Sequence, residues 1–147
     1  MCNFCPKSLV CIDKAISLHS FKLNVQKILR YSIMEKSFIS FVENSIKKNW
    51  DLDALTDYKG ATLQYKDVAR KIEKLHIIFE NSGVVKGDKI AICGRNSSHW
   101  GVVFLATLTY GAVAVPILHE FKADNVHNIV NHSEAKLLFV GDMVWEN

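Results

Sequence analysis

No apolar run in this chain of 147 residues reaches the roughly 18 to 20 needed to cross a bilayer, because Lys, Asp, Asn or His interrupts each candidate. The reading is of a soluble protein. A basic surface is missing as well. The formal net charge is +3, but residues 1–33 carry Lys7, Lys14, Lys22, Lys27 and Arg30 against Asp13 alone. That surplus of four leaves the other residues one charge negative, so there is no electrostatic case for nucleic acid. Cysteine is scarce where a core would form: Cys2, Cys5 and Cys11 lie in the first segment, and Cys93 stands alone in the body. Four cysteines do not make a disulfide scaffold at this length, and a reducing cytoplasm fits best.

Motifs that carry chemistry are absent too. There is no Gly-x-Gly-x-x-Gly, no Gly-Lys-Ser/Thr phosphate loop, no Gly-x-Ser-x-Gly elbow and no carboxylate cluster spaced for acid–base work. Cys2-x-x-Cys5 with Cys11 lacks the second pair that a tetrahedral zinc site needs, even with His19 recruited. His127 and His132 are five apart on one expected helix, whereas two ligands on one helical face need three or four. His119-Glu120 is a conceivable general-base pair with no nucleophile beside it. Cys93, at the end of an apolar stretch, reads as a small buried hydrophobe.

What is present is core material: 49% hydrophobic and 10% aromatic residues, enough to exclude overall disorder. Charge, cysteine usage and pattern all change near Met34. Residues 1–33 are therefore expected to be an extension outside the fold, and residues 34–147 the folded part. Phe38, Phe41, Val42 and Ile46 predict a helix over 37–47. A hairpin follows over 53–63, turning at Tyr58-Lys59-Gly60. Tyr65, Val68, Ile72, Leu75 and Phe79 recur at 3, 4, 3 and 4 residues, which predicts an amphipathic helix ending near Ser82, with Gly83 just beyond it.

Strand, helix, strand, helix, strand then succeed one another: 89–93, 99–110, 112–115, 123–132 and 136–140. Connections of this length favour a parallel sheet with helices packed on it. Gly94-Arg95-Asn96-Ser97-Ser98 is the loop into the second of these helices, with Ser97 or Ser98 as its cap. That loop has two readings, a structural connection or a phosphate-binding helix N-terminus. The helix it opens is apolar nearly all round and should be largely enclosed, Gly111 closes it, and Pro116 is expected to end the next strand. Val126, Ile129 and Val130 should point inward from the helix over 123–132.

The order and spacing of Thr62 and Tyr65, Gly83-Val84, Lys86-Gly87-Asp88-Lys89-Ile90-Ala91-Ile92, Asn96-Ser97 and Trp100 resemble the adenylate-forming, AMP-binding superfamily of acid–CoA ligases. The likeness continues through Tyr110-Gly111-Ala112-Val113-Ala114-Val115-Pro116 and Ser133-Glu134-Ala135-Lys136 to Val140, 79 residues from Thr62. It implies an α/β fold with a partial doubly wound, mostly parallel sheet, the N-terminal subdomain of such an enzyme. It also implies activation of a carboxylic acid by ATP to an acyl-adenylate, then transfer to CoA. A fatty acid is the preferred substrate, because 111–116 and 133–140 look most like the long-chain ligases. Leu118-His119 departs from the small or aromatic residue and proline usual after Pro-Ile.

For the complete enzyme the resemblance implies ATP, Mg²⁺ and CoA, a cytoplasmic place with peripheral membrane association open to it, and the remainder of a ligase chain as partner. The Ser/Thr- and Gly-rich loop ending in Lys-Gly, the later aromatic and acidic motifs and the C-terminal lysine of the family do not occur here. No catalytic, cofactor-binding or metal-binding residue of this chain is therefore assigned. The chain alone is expected to be inactive and to bind none of these ligands tightly. The alternative is a free-standing Rossmann- or flavodoxin-like module that binds a nucleotide or a protein without catalysis.

Overall fold

The computed structural model describes residues 38–145, so Cys2, Cys5, Cys11, His19 and the expected boundary near Met34 lie outside the described residues. Helix α1 (Phe38–Lys48) ends in Lys47 and Lys48, cations suited to the negative end of a helix dipole, and Lys47 pairs with Glu43 one turn back. Strands β1 (Asp53–Thr56) and β2 (Thr62–Gln64) form the antiparallel hairpin, with Leu55 opposite Leu63 and a register shift between Asp53 and Leu55.

Helix α2 (Tyr65–Asn81) starts where Asp67 accepts a hydrogen bond from the Gln64 N–H at 3.2 Å. Its apolar stripe is core: Val68, Ile72, Leu75 and Phe79 are all buried. Ser82 caps its end and Gly83 follows at φ +70°, a left-handed conformation that glycine adopts without a Cβ clash.

The remaining elements are β3 (Lys89–Cys93), α3 (Ser98–Tyr110), β4 (Val113–Ile117), α4 (Ala123–Ser133), β5 (Leu137–Val140) and the single turn α5 (Asp142–Trp145). The three strands form one parallel sheet in the order β4-β3-β5, with Ile90 aligned to both Ala114 and Leu137. Strand alternation sorts the side chains between two layers. Ile90, Leu137 and Phe139 join the core made with α2 and α3, while Ala91, Cys93, Val115 and Ile117 join Val126, Ile129 and Val130 of α4. Helices thus cover both faces, as a doubly wound arrangement requires.

One expectation is corrected. Pro116 does not end β4; it lies within the strand, in register with Ile92. In this sheet β4 is an edge strand, the position where a proline's missing N–H is tolerated. Helix α3 is largely but not fully enclosed: His99 is its one exposed residue. Only Ser98, Val102, Ala106 and Thr107 are buried, and Trp100 and Phe104, half-buried, stack on each other at 5.2 Å between ring centroids. One side of α3 packs on α2 and the sheet.

Candidate functional site

Many of the motif residues meet at one corner, the N-terminal edge of the parallel sheet. Asn96, Ser97 and Trp100 lie at the opposite edge, and Thr62 and Tyr65 at the hairpin and the start of α2. Asp88 accepts hydrogen bonds from Lys136 Nζ at 2.8 Å and, to smaller effect, from the Val85 N–H at 2.7 Å, which together hold its carboxyl below the ordinary 3.8. The Lys136 ammonium also donates to the Gly83 carbonyl at 3.4 Å. The Gly87 N–H donates to Gly111 O at 2.9 Å, the Val113 N–H to Asp88 O at 2.8 Å and the Lys136 N–H to Lys89 O at 2.9 Å. Tyr110 donates its hydroxyl to Val84 O at 2.9 Å. Gly111 takes φ +83°, and a Cβ there would meet Lys86 Cγ at 3.2 Å. Lys86-Gly87-Asp88, Tyr110-Gly111 and Glu134-Ala135-Lys136 are therefore parts of one knot that joins the starts of β3, β4 and β5.

The opposite edge is where an α/β sheet of this kind presents ligand-binding loops, at the carboxyl ends of its strands. The loop over 94–97 leads from β3 to α3, and the one over 118–122 from β4 to α4 on the other face. The N-terminus of α3 is already occupied. Asp57, from the hairpin turn 41 residues earlier, accepts from the Ser98 N–H at 2.6 Å and from Ser98 Oγ at 2.7 Å. These two bonds, with a weaker contribution from His99, hold the Asp57 carboxyl below its ordinary value. Ser97 caps the same helix by accepting from the Trp100 N–H at 3.2 Å. A carboxylate seated there takes the place a phosphate would need, which favours the structural reading of the loop over 94–98.

The other sequence candidates stay apart. His127 and His132 are exposed on α4. His119 Nε2 lies 3.9 Å from Glu120 Oε1 in an exposed loop. The Cys93 thiol, 1% exposed, is pushed above its ordinary 9.0 by burial and leans toward Leu118 O at 3.9 Å, so it is an inert core group. Among the described residues no group of three or more His, Cys, Asp or Glu could hold a metal ion. No helix among the described residues is long and apolar enough to cross a membrane.

Two features escaped the sequence reading. An open apolar groove of about 310 Å³ runs between α1, the hairpin and the start of α2, lined by Phe38, Phe41, Ile46, Leu55, Tyr65 and Val68 among others. His76 is buried between α2 and α3. Its signal was its place beside Leu75 at the 3-4 spacing of the stripe, with Ile72 four residues before it and Phe79 three after.

Comparison with known proteins agrees with this geometry. The model of the AMP-binding enzyme family matches residues 42–147. The chain is 34% identical over 80 residues to a putative acyl-CoA ligase, YdaB, of Bacillus subtilis, covering 54% of this chain and 16% of that protein. It is 35% identical over 75 residues to long chain acyl-CoA synthetase 3 of Arabidopsis thaliana, covering 51% and 11%. The N-terminal domain of FACL13 from Mycobacterium tuberculosis superposes with a TM-score of 0.67 at 22% identity, over 76% of this chain and 29% of that one. The fold is that of the N-terminal subdomain of adenylate-forming enzymes. The chain belongs to the AMP-binding enzyme family, and it spans 16% or less of the length of these two curated relatives.

Proposed function

We propose that this chain is the leading scaffold segment of an AMP-forming acid–CoA ligase of the fatty-acid type. The activity is that of the complete enzyme: a carboxylate attacks the α-phosphate of ATP, giving acyl-adenylate and pyrophosphate, and CoA then takes the acyl group. ATP, Mg²⁺ and CoA belong to that complete enzyme, which we place in the cytoplasm, with peripheral membrane association open to it. The segment supplies the β4-β3-β5 sheet and its helices. The remainder of the ligase supplies the groups that stabilise charge building on the phosphates.

The observation that carries this reading is the family match over residues 42–147, several of whose motif residues form the knot at the N-terminal edge of the sheet. The Asp57 carboxylate on the α3 N-terminus speaks against a free-standing nucleotide module. Residues 1–33 are read as an extension outside the scaffold.

Acid-dependent exchange of labelled pyrophosphate into ATP tests the proposal. Protein purified from its native source with an antibody to residues 60–140 is expected to catalyse exchange with fatty acids and Mg²⁺. Residues 1–147 alone are expected to give none. Robust turnover by residues 1–147 overturns the scaffold reading, and no exchange by the native protein with any acid overturns the ligase reading.

A further inference from the structure

His76 is a titratable group built into the seam between the two long helices, and nothing in the proposed activity uses it. The ring is 8% exposed. Its Nε2 lies 3.0 Å from the Ala106 carbonyl oxygen and 3.1 Å from Thr109 Oγ1, both on α3. A carbonyl only accepts, so Nε2 carries the proton. The Thr109 hydroxyl directs its own hydrogen to the Leu105 carbonyl at 2.8 Å, which leaves its oxygen free to accept from His76. The neutral ring therefore has a fixed tautomer, and a second proton has only Nδ1 to bind. Among the described residues no hydrogen bond is made by Nδ1.

Around this contact the aromatic rings of three elements meet. Tyr110 stands edge-on to His76 at 5.3 Å and to Phe79 at 5.3 Å, and Phe79 meets Phe139 of β5 at 6.0 Å. The charged groups nearby are few. On α2, Glu73 lies one turn before His76 and Glu80 one turn after it. Glu73 is buried and otherwise partnered, whereas Glu80 is exposed. On α3 the only other basic group is His99, near the opposite end, and β5 has no charged residue. Helix α1, with Glu43, Lys47 and Lys48, meets α2 around Tyr65 and Val68, about two turns away.

We propose that the α2–α3 seam is an acid-sensitive joint, held by neutral His76 and loosened when mild acid places a charge on the buried ring. Burial opposes that charge more than the Ala106 carbonyl and Glu80 favour it, so the ring titrates below its ordinary 6.5 in the folded protein. The folded state then binds fewer protons than the unfolded one. The stabilisation is fully present above 6.5 and is lost as the pH falls through the depressed value.

The test compares the full chain with His76→Gln, which can still donate to Ala106 but cannot titrate. Urea unfolding from pH 8 to pH 5 is expected to give a wild-type unfolding constant that rises relative to the variant below pH 6.5, by up to about tenfold per pH unit. Amide exchange in 72–81 and 104–110 should accelerate over the same range, while exchange in 123–133 keeps pace with the variant. An NMR titration of the wild-type ring decides the matter even if His76→Gln does not fold. A midpoint at or above 6.5, or equal pH slopes in the two proteins, overturns the proposal.

Discussion

The two ends of the three-stranded sheet are built differently. At the N-terminal end the starts of β3, β4 and β5 are cross-tied by the Asp88–Lys136 pair, the Lys89–Glu134 pair at 3.6 Å, three backbone hydrogen bonds and the Tyr110 hydroxyl. At the C-terminal end the ties are fewer: the Gly141 N–H to Cys93 O at 2.8 Å, and Asp57 on Ser98. Arg95, Asn96, Leu118 and Glu120 face solvent there. Most of the residues that carry the family likeness lie at the tied end, with Asn96, Ser97 and Trp100 at the other, the end to which ligand chemistry in such sheets belongs. Motifs that identify a family can therefore be motifs of its architecture, and they then locate no reacting group.

The sharpest way to break this contrast is to undercut the tied end. Phe79, fully buried among Tyr110, Phe139 and the α2 stripe, should lose about 3 to 5 kcal/mol of stability as Phe79→Ala, read from denaturant midpoints. Gly111→Ala should cost about 1 to 2 kcal/mol, from its left-handed φ and the approach of Lys86, whereas Gly94→Ala at the open end has a Cβ site with ordinary contacts of 3.5 Å or more and should cost less. Equal losses would remove the distinction between the ends.

Smaller effects follow from the two carboxylates. Asp57 and Asp88 both titrate below 3.8 when folded, so each contributes stability that is present above that value and lost as the pH falls through its depressed one. Asp57→Asn and Asp88→Asn should each flatten the acid limb of a stability–pH curve below pH 4. Salt should weaken the Asp88 contribution more, because its partner is a half-exposed ammonium whereas Asp57 is held by uncharged donors. The smallest effect is kinetic: peptide mapping after brief alkylation of the native chain should find Cys93 unmodified, and modified only after denaturation. Prompt native labelling would show that the open end admits solvent to the core.

How much of this was legible beforehand depends on the range of the interactions involved. The α2 stripe, its stop at Gly83, the helix end at Gly111 and the order of β3 to β5 were readable because periodicity and glycine conformation are local. Element ends shifted by a residue or two, and the single turn α5 was missed, having too few residues to carry a period. Pro116 was misplaced because its tolerance depends on β4 lying at an edge, which only the strand order reveals. For the loop over 94–98, the deciding partner was Asp57, which no spacing rule connects to Ser98. His76 was passed over for a similar reason, its partners being about 30 residues away.

The strand order also has a meaning in time. The central strand, β3, is the first of the three to be synthesised, with β4 following about 20 residues later and β5 later still, on opposite sides. The sheet can grow outward by addition alone, and no late strand has to push between two that are already paired. Each pairing closes through a single intervening helix or the pair of them, so the entropy of closure is met in steps, each secured by the helix that has just packed.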